Sequence, residues 1–272
     1  MKTRKIFWGV IILVIGVLLL LNTMGFLPFS IWQIFWPVML IVLGLWFLLG
    51  STLFKKHLKA ETFSLPLEGA QTAEIEFNHG AGELIVSALS AENRDLLLDG
   101  LFTGGLEPEF SSRNGLSRLK LRPPLDFIPF GMFPHTEGFN WDVSLSPQLP
   151  LKLHFQTGAD KSSLNLQDLN VSDLKLETGA SDTAITLPAA VSHIKVSINS
   201  GAAAVKIRVP EGVAARIRIS SGLMGIDVDQ VRFPMSAESE PGHKVYQSPG
   251  YESSLHQAEI NVESGLGSIS IQ

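Results

Sequence analysis

The sequence predicts a membrane-anchored, mainly-β protein: an N-terminal two-helix transmembrane hairpin followed by a solenoid-like β-repeat domain. Three observations predict it. From Ile6 to Phe54, 49 consecutive residues carry no Asp, Glu, Lys or Arg. After Ala73 the apolar period drops to two, and one motif ending in glycine occurs six times. Charge is divided unevenly: all 26 acidic residues and 15 of the 21 basic ones lie in 60–272, which gives that part a net charge of −11.

The uncharged stretch holds two apolar runs, placing the spans at about 6–22 and 31–54, with Gly25 and Pro28 in the turn between them. A helix rises about 1.5 Å per residue and the hydrocarbon core is about 30 Å thick, so each run reaches across a bilayer. Lipid supplies no hydrogen-bond partner to the backbone, which restricts such runs to helices. The basic start Met1–Lys5 also fits a signal peptide, but no small-residue cleavage site follows and a second span begins within about ten residues. Lys2, Arg4 and Lys5 precede the hairpin, and Lys55, Lys56 and Lys59 follow it. Basic flanks stay in the cytoplasm, so both the N-terminus and the domain after residue 59 are expected there, with the lipid bilayer as partner of residues 6–54. The expected location is the inner (plasma) membrane, multi-pass.

Residues 60–72 read as a linker with one possible edge strand, and 73–272 as the β-repeat domain. Each copy of the motif has an aliphatic residue five before its glycine and an aliphatic residue or Phe three before it. The glycines are Gly80, Gly158, Gly179, Gly201, Gly222 and Gly265. The central four are 21 or 22 residues apart, and the last step is 43, or two periods. A fixed period of this size signals stacked units, each read as strand, glycine corner, strand. Glycine at the corner implies either a positive φ or close approach of the neighbouring coil. A β-sandwich with regular hairpins is the structural alternative. The last copy, Ile260–Gln272, is expected to pair internally beside the first copy at Ala73–Val86. Acidic self-repulsion argues for a monomeric soluble part.

Two stretches break the rhythm. Residues 123–139 crowd Phe127, Phe130, Phe133 and Phe139 among prolines, and read as a core-covering loop or as one touching a partner or the bilayer. Residues 233–257 are polar with three prolines and read as a surface loop.

No constellation points to chemistry. The seven histidines lack metal-ligand spacing, and no cysteine exists to complete a zinc site. His79 and His154 are read as outward-facing. The glycine-rich pieces at 78–82 and 100–105 neither open a helix nor carry a phosphate-binding lysine. Asp160, Asp168, Asp173 and Asp182 fall near corners and are read as solvated. No catalytic, cofactor-binding or metal-ligating residue is assigned, no cofactor is expected, and the acidic balance excludes nucleic acid as a partner.

The hairpin, FWGVIILVIGVLLLLNTMG followed by IWQIFWPVMLIVLGLWFLL, resembles the LiaI/LiaF-like transmembrane region. The segments AEIEFNHGAGELIV, LKLETGASDTAITLP and AEINVESGLGSISIQ are similar to the toast-rack β domains joined to such regions. The resemblance implies a bacterial, LiaF-like, non-enzymatic protein of the cell-envelope stress response. It would act by protein binding, in the family's case as negative regulator of a membrane histidine kinase or another envelope-stress protein. A membrane-anchored scaffold without a signalling role is the alternative.

Overall fold

Alternating apolar residues and a small residue at the bend make each repeat a long strand folded back on itself. The computed structural model describes residues 36–41, 43–44, 60–124 and 139–272. Two compact units are present, Met1–Lys56 and His57–Gln272. In the first, residues 36–41 and 43–44 are helical. No helix among the described residues is long and apolar enough to cross a membrane. The two predicted spans lie mostly outside the described residues, as does most of the loop at 123–139.

Among its described residues the second unit contains thirteen strands: β1 (Ala60–Pro66), β2 (Thr72–Ala88), β3 (Leu96–Thr103), β4 (Glu107–Arg113), β5 (Leu116–Arg122), β6 (Phe139–Leu145), β7 (Leu151–Asn165), β8 (Val171–Thr178), β9 (Asp182–Thr186), β10 (His193–Arg208), β11 (Ala214–Val228), β12 (His243–Gln247) and β13 (Gln257–Ile271). β2, β7, β10, β11 and β13 each run through a corner glycine, and β8 and β9 flank one, so every repeat has a first and a second leg. The first legs stack in the order β4-β5-β2-β7-β8-β10-β13-β11-β12, and the second legs in the order β1-β3-β6-β2-β7-β9-β10-β13-β11. The coils pair in parallel, as in a solenoid, and the sheet is folded along its line of glycines.

Inward residues of both legs form one core. Ile75, Leu153, Leu174, Val196, Ile260 and Ile217 make one row, and Phe77, Phe155, Leu176, Ile198, Val262 and Ile219 the next. Phe77 and Phe155 stack with ring centroids 4.7 Å apart. Leu149, Leu169, Val191 and Val213 in the connections are buried in the same core. A unit that holds its whole sheet and core internally has what it needs to fold alone.

Two expectations are corrected here. β13 does not lie beside the first copy: it is inserted between β10 and β11, parallel to both along its full length. Residues 233–257 are not a mere surface loop. Phe233, Tyr246 and Tyr251 are buried, and β12 adds antiparallel to the first leg of β11. The Arg232 guanidinium donates to the carbonyl oxygens of Val209 and Pro210 at 2.9 and 3.1 Å, fastening this plug across the last coil.

Candidate functional site: the glycine corner and its buried histidine

The corner is built by close approach. None of the six repeat glycines has a positive φ. A Cβ on Gly158 would lie 2.3 Å from the Gly80 carbonyl oxygen; on Gly179, Gly201, Gly265 and Gly222 it would lie 2.9–3.0 Å from the carbonyl oxygen of the next glycine in the stack. Those oxygens accept bonds from the neighbouring coil: Ala180 N–H donates to Gly158 at 2.9 Å and Ala202 N–H to Gly179 at 2.8 Å. A side chain at the bend would separate coils that these bonds hold together.

Just before each glycine the side chain points inward, and this row is polar: His79, Thr157, Thr178, Ser200, Ser264 and Ser221. Hydroxyls pair along it, Thr157 with Thr178 at 2.9 Å and Ser200 with Ser264 at 2.8 Å. At its head His79 is only 2 % exposed. Its ring packs 5.2 Å from that of Trp141. A carbonyl can only accept, so the 2.9 Å contact to the Phe139 oxygen makes Nε2 the protonated nitrogen. Nδ1 then faces the Asp160 carboxylate at 3.9 Å and has no hydrogen-bond partner among the described residues, nor do Asp160 Oδ1 and Trp141 Nε1. Ser162 donates to the other Asp160 oxygen. Burial pushes the His79 pKa below its ordinary value, against the opposing effects of the Phe139 carbonyl and Asp160. The imidazole is therefore neutral at pH 7.

This corrects the readings of His79 as outward-facing and Asp160 as solvated. The other corner aspartates differ: Asp168 and Asp182 are exposed and Asp173 is half-buried. His154 is half-buried on the outer face, 3.6 Å from Glu177. Although His79, Asp160 and Ser162 lie together, they do not form a nucleophilic relay. The serine hydroxyl is bonded to the aspartate, and the Nε2 proton is committed to a backbone carbonyl.

The outer face of the first legs carries charge in rows. Arg118 bonds Glu74 at 2.8 Å and Lys120 bonds Glu76 at 2.9 Å. The Arg118 hydrogen bond holds the Glu74 carboxyl below its usual range, and Lys175 does the same for Glu177. Burial raises Glu76, but bonds from Lys120 and Asn78 outweigh it and leave it lowered. Near the corner this face becomes a shallow open groove of about 1080 Å³, with Gln156, Glu177, Asn199, Glu263 and His243 among its lining. Among the described residues no three metal-ligating side chains converge.

Comparison with known proteins places these features. The family described as the N-terminal domain of toast_rack matches residues 54–208, and the LiaI-LiaF-like transmembrane region matches residues 6–48. Neither is an enzyme family. No curated protein matches the chain significantly. A candidate cell adhesion protein from Clostridium sporogenes, solved by crystallography, is similar in fold with a TM-score of 0.69 at 19 % identity, over 79 % of this chain and 98 % of that one. A candidate adhesin from Bacteroides fragilis gives a TM-score of 0.29 at 9 % identity, over 79 % of this chain and 97 % of that one, too low to support an argument.

Proposed function

The chain belongs to the toast-rack family, and from that membership we propose a membrane-anchored protein that acts by binding other proteins and regulates a kinase system that senses cell-envelope stress. The observation that carries the proposal is the joining of a LiaI-LiaF-like membrane region at residues 6–48 to a toast-rack domain beginning at residue 54. The anchor is a two-helix hairpin through residues 6–54, multi-pass in the plasma membrane. The basic flanks put the β domain in the cytoplasm, where a membrane histidine kinase presents its own soluble part. The domain offers that partner paired surface charge and a rigid stack, and it conducts no chemistry of its own. The adhesion role named for the Clostridium protein does not transfer, because the likeness at 19 % identity concerns fold alone.

Deleting the gene and measuring phosphorylation of the response regulator in unstressed cells tests this reading. Loss of a negative regulator raises basal phosphorylation, and restoring the full chain returns it to the starting level. Phosphorylation unchanged by deletion, with and without an envelope-active antibiotic, would remove the signalling role and leave the scaffold.

A further inference from the structure

Among the described residues the stack ends in four sheet edges, and they are not alike. An exposed edge is a template for another strand unless proline, charge or a covering segment blunts it. β1 carries Glu61 and Pro66, and β4 carries Glu107, Pro108, Glu109 and Arg113. β12 is covered by the plug, with Ser236 N–H donating to the Val245 carbonyl at 2.8 Å. The second leg of β11, Gly222–Val228, has a sheet neighbour on one side only among the described residues, namely β13. Its sequence, GLMGIDV, holds no proline and one charge.

We propose that this edge accepts an extended strand from a partner protein, with aliphatic side chains on its inner face and basic ones on its outer face. Asp229 N–H donates to Ile271 on β13. By strand alternation, the N–H and C=O groups of Val228, Ile226 and Met224 point to the open side. At this end the first-leg sheet has one strand more than the second-leg sheet, because β12 pairs only with Arg216–Ser220. An added strand would therefore lie opposite β12 and complete the second layer. Met224 and Ile226 are half-buried core residues that such a strand would cover. Leu223, 80 % exposed and in register with Leu266 at 52 %, adds a separate apolar contact on the outer face at the corner end. On the outer face the edge presents Asp227, within a domain of net charge −11, so basic outer residues are complementary. A second copy is a poor occupant. Symmetric pairing of two such edges would bring both overhanging β12 strands together, and two acidic domains repel.

This inference deepens the protein-binding reading without requiring the kinase role. The test uses the unit His57–Gln272 and a synthetic peptide of residues 203–209, AAVKIRV, whose own strand places Val205 and Ile207 inward and Lys206 and Arg208 outward. The expected result is saturable binding below about 1 mM, with amide shifts in an NMR titration confined to 222–228 and adjacent positions. Ile226→Pro removes an N–H that faces the open side and abolishes binding. Asp227→Lys weakens this peptide about 5-fold and favours a peptide with Glu at both basic positions, from cross-strand charge pairing alone. Retained folding of the Asp227→Lys variant is checked by its melting curve. Absence of saturable binding, shifts elsewhere, identical affinities in wild type and Asp227→Lys, or dimerisation of the unit through this edge would each overturn the proposal.

Discussion

At the scale of single residues, the corner glycines and His79 tie sequence to fold most tightly. The stacked carbonyls leave no room for Cβ at Gly158, whereas none of the described residues lies within 4 Å of a Cβ on Gly80, the same repeat position in the first coil. Gly158→Ala is therefore expected to destabilise the unit by about 1–3 kcal/mol, the range for overpacking. Gly80→Ala is expected to be neutral, or to stabilise by up to about 1 kcal/mol through the unfolded chain. Urea denaturation of the two variants measures the difference, and equal losses would contradict close approach as the reason for glycine. His79 gives a pH dependence with a definite sign. Its folded pKa lies below the unfolded value of about 6.5, so the unfolded chain takes up the proton first. The stability that depends on neutral His79 is complete above the unfolded pKa. It is lost as pH falls from there through the folded pKa. Subtracting the stability profile of His79→Gln from that of wild type isolates this loss, which precedes that from Glu74, Glu76, Glu177 and Glu259, all lowered carboxyls that protonate at more acid pH. The burial of His79 was legible in principle, since it shares the inward parity of Ala73, Ile75 and Phe77. General statistics for histidine pointed outward. Its packing against Trp141 and Asp160, distant in sequence, could not be read from spacing.

At the scale of elements, the six strand–corner–strand repeats are readable because aliphatic residues at fixed distances from glycine leave few other conformations. The order of stacking was not readable. Every coil presents nearly the same inward pattern, so pairing preferences between coils are degenerate, and the 28 residues of 229–256 permit several destinations for β13. The structure makes it an interior strand, with Ile260, Val262, Ile269 and Ile271 all buried. Removing residues 257–272 is therefore expected to abolish cooperative folding rather than shorten the stack, because β10 and β11 lose their common neighbour along the full length of both legs. Circular dichroism melting of the truncated unit checks this, and a cooperative transition close to wild type would contradict the insertion. The plug at 233–257 is hard to recognise in the sequence for a related reason: its few aromatics, Phe233, Tyr246 and Tyr251, are diluted by polar residues that cover the outside while the rings enter the core.

At the scale of the whole molecule, the chain joins an uncharged N-terminal stretch to an acidic β stack, which the proposed function assigns to anchoring and recognition. Family membership supports membrane association and a toast-rack domain. The central claim beyond it is that the hairpin returns the chain to the cytoplasmic side, so that the corner, the outer face and the open edge of β11 meet cytoplasmic partners. The chain contains no cysteine, which makes single-cysteine labelling direct. Ser30→Cys lies in the turn between the predicted spans, and Glu211→Cys in an exposed turn of the β domain. With a membrane-impermeant maleimide applied to intact spheroplasts, the account predicts labelling of Ser30→Cys and none of Glu211→Cys until the cells are lysed. Labelling of Glu211→Cys in intact spheroplasts would place the β domain outside and contradict the account.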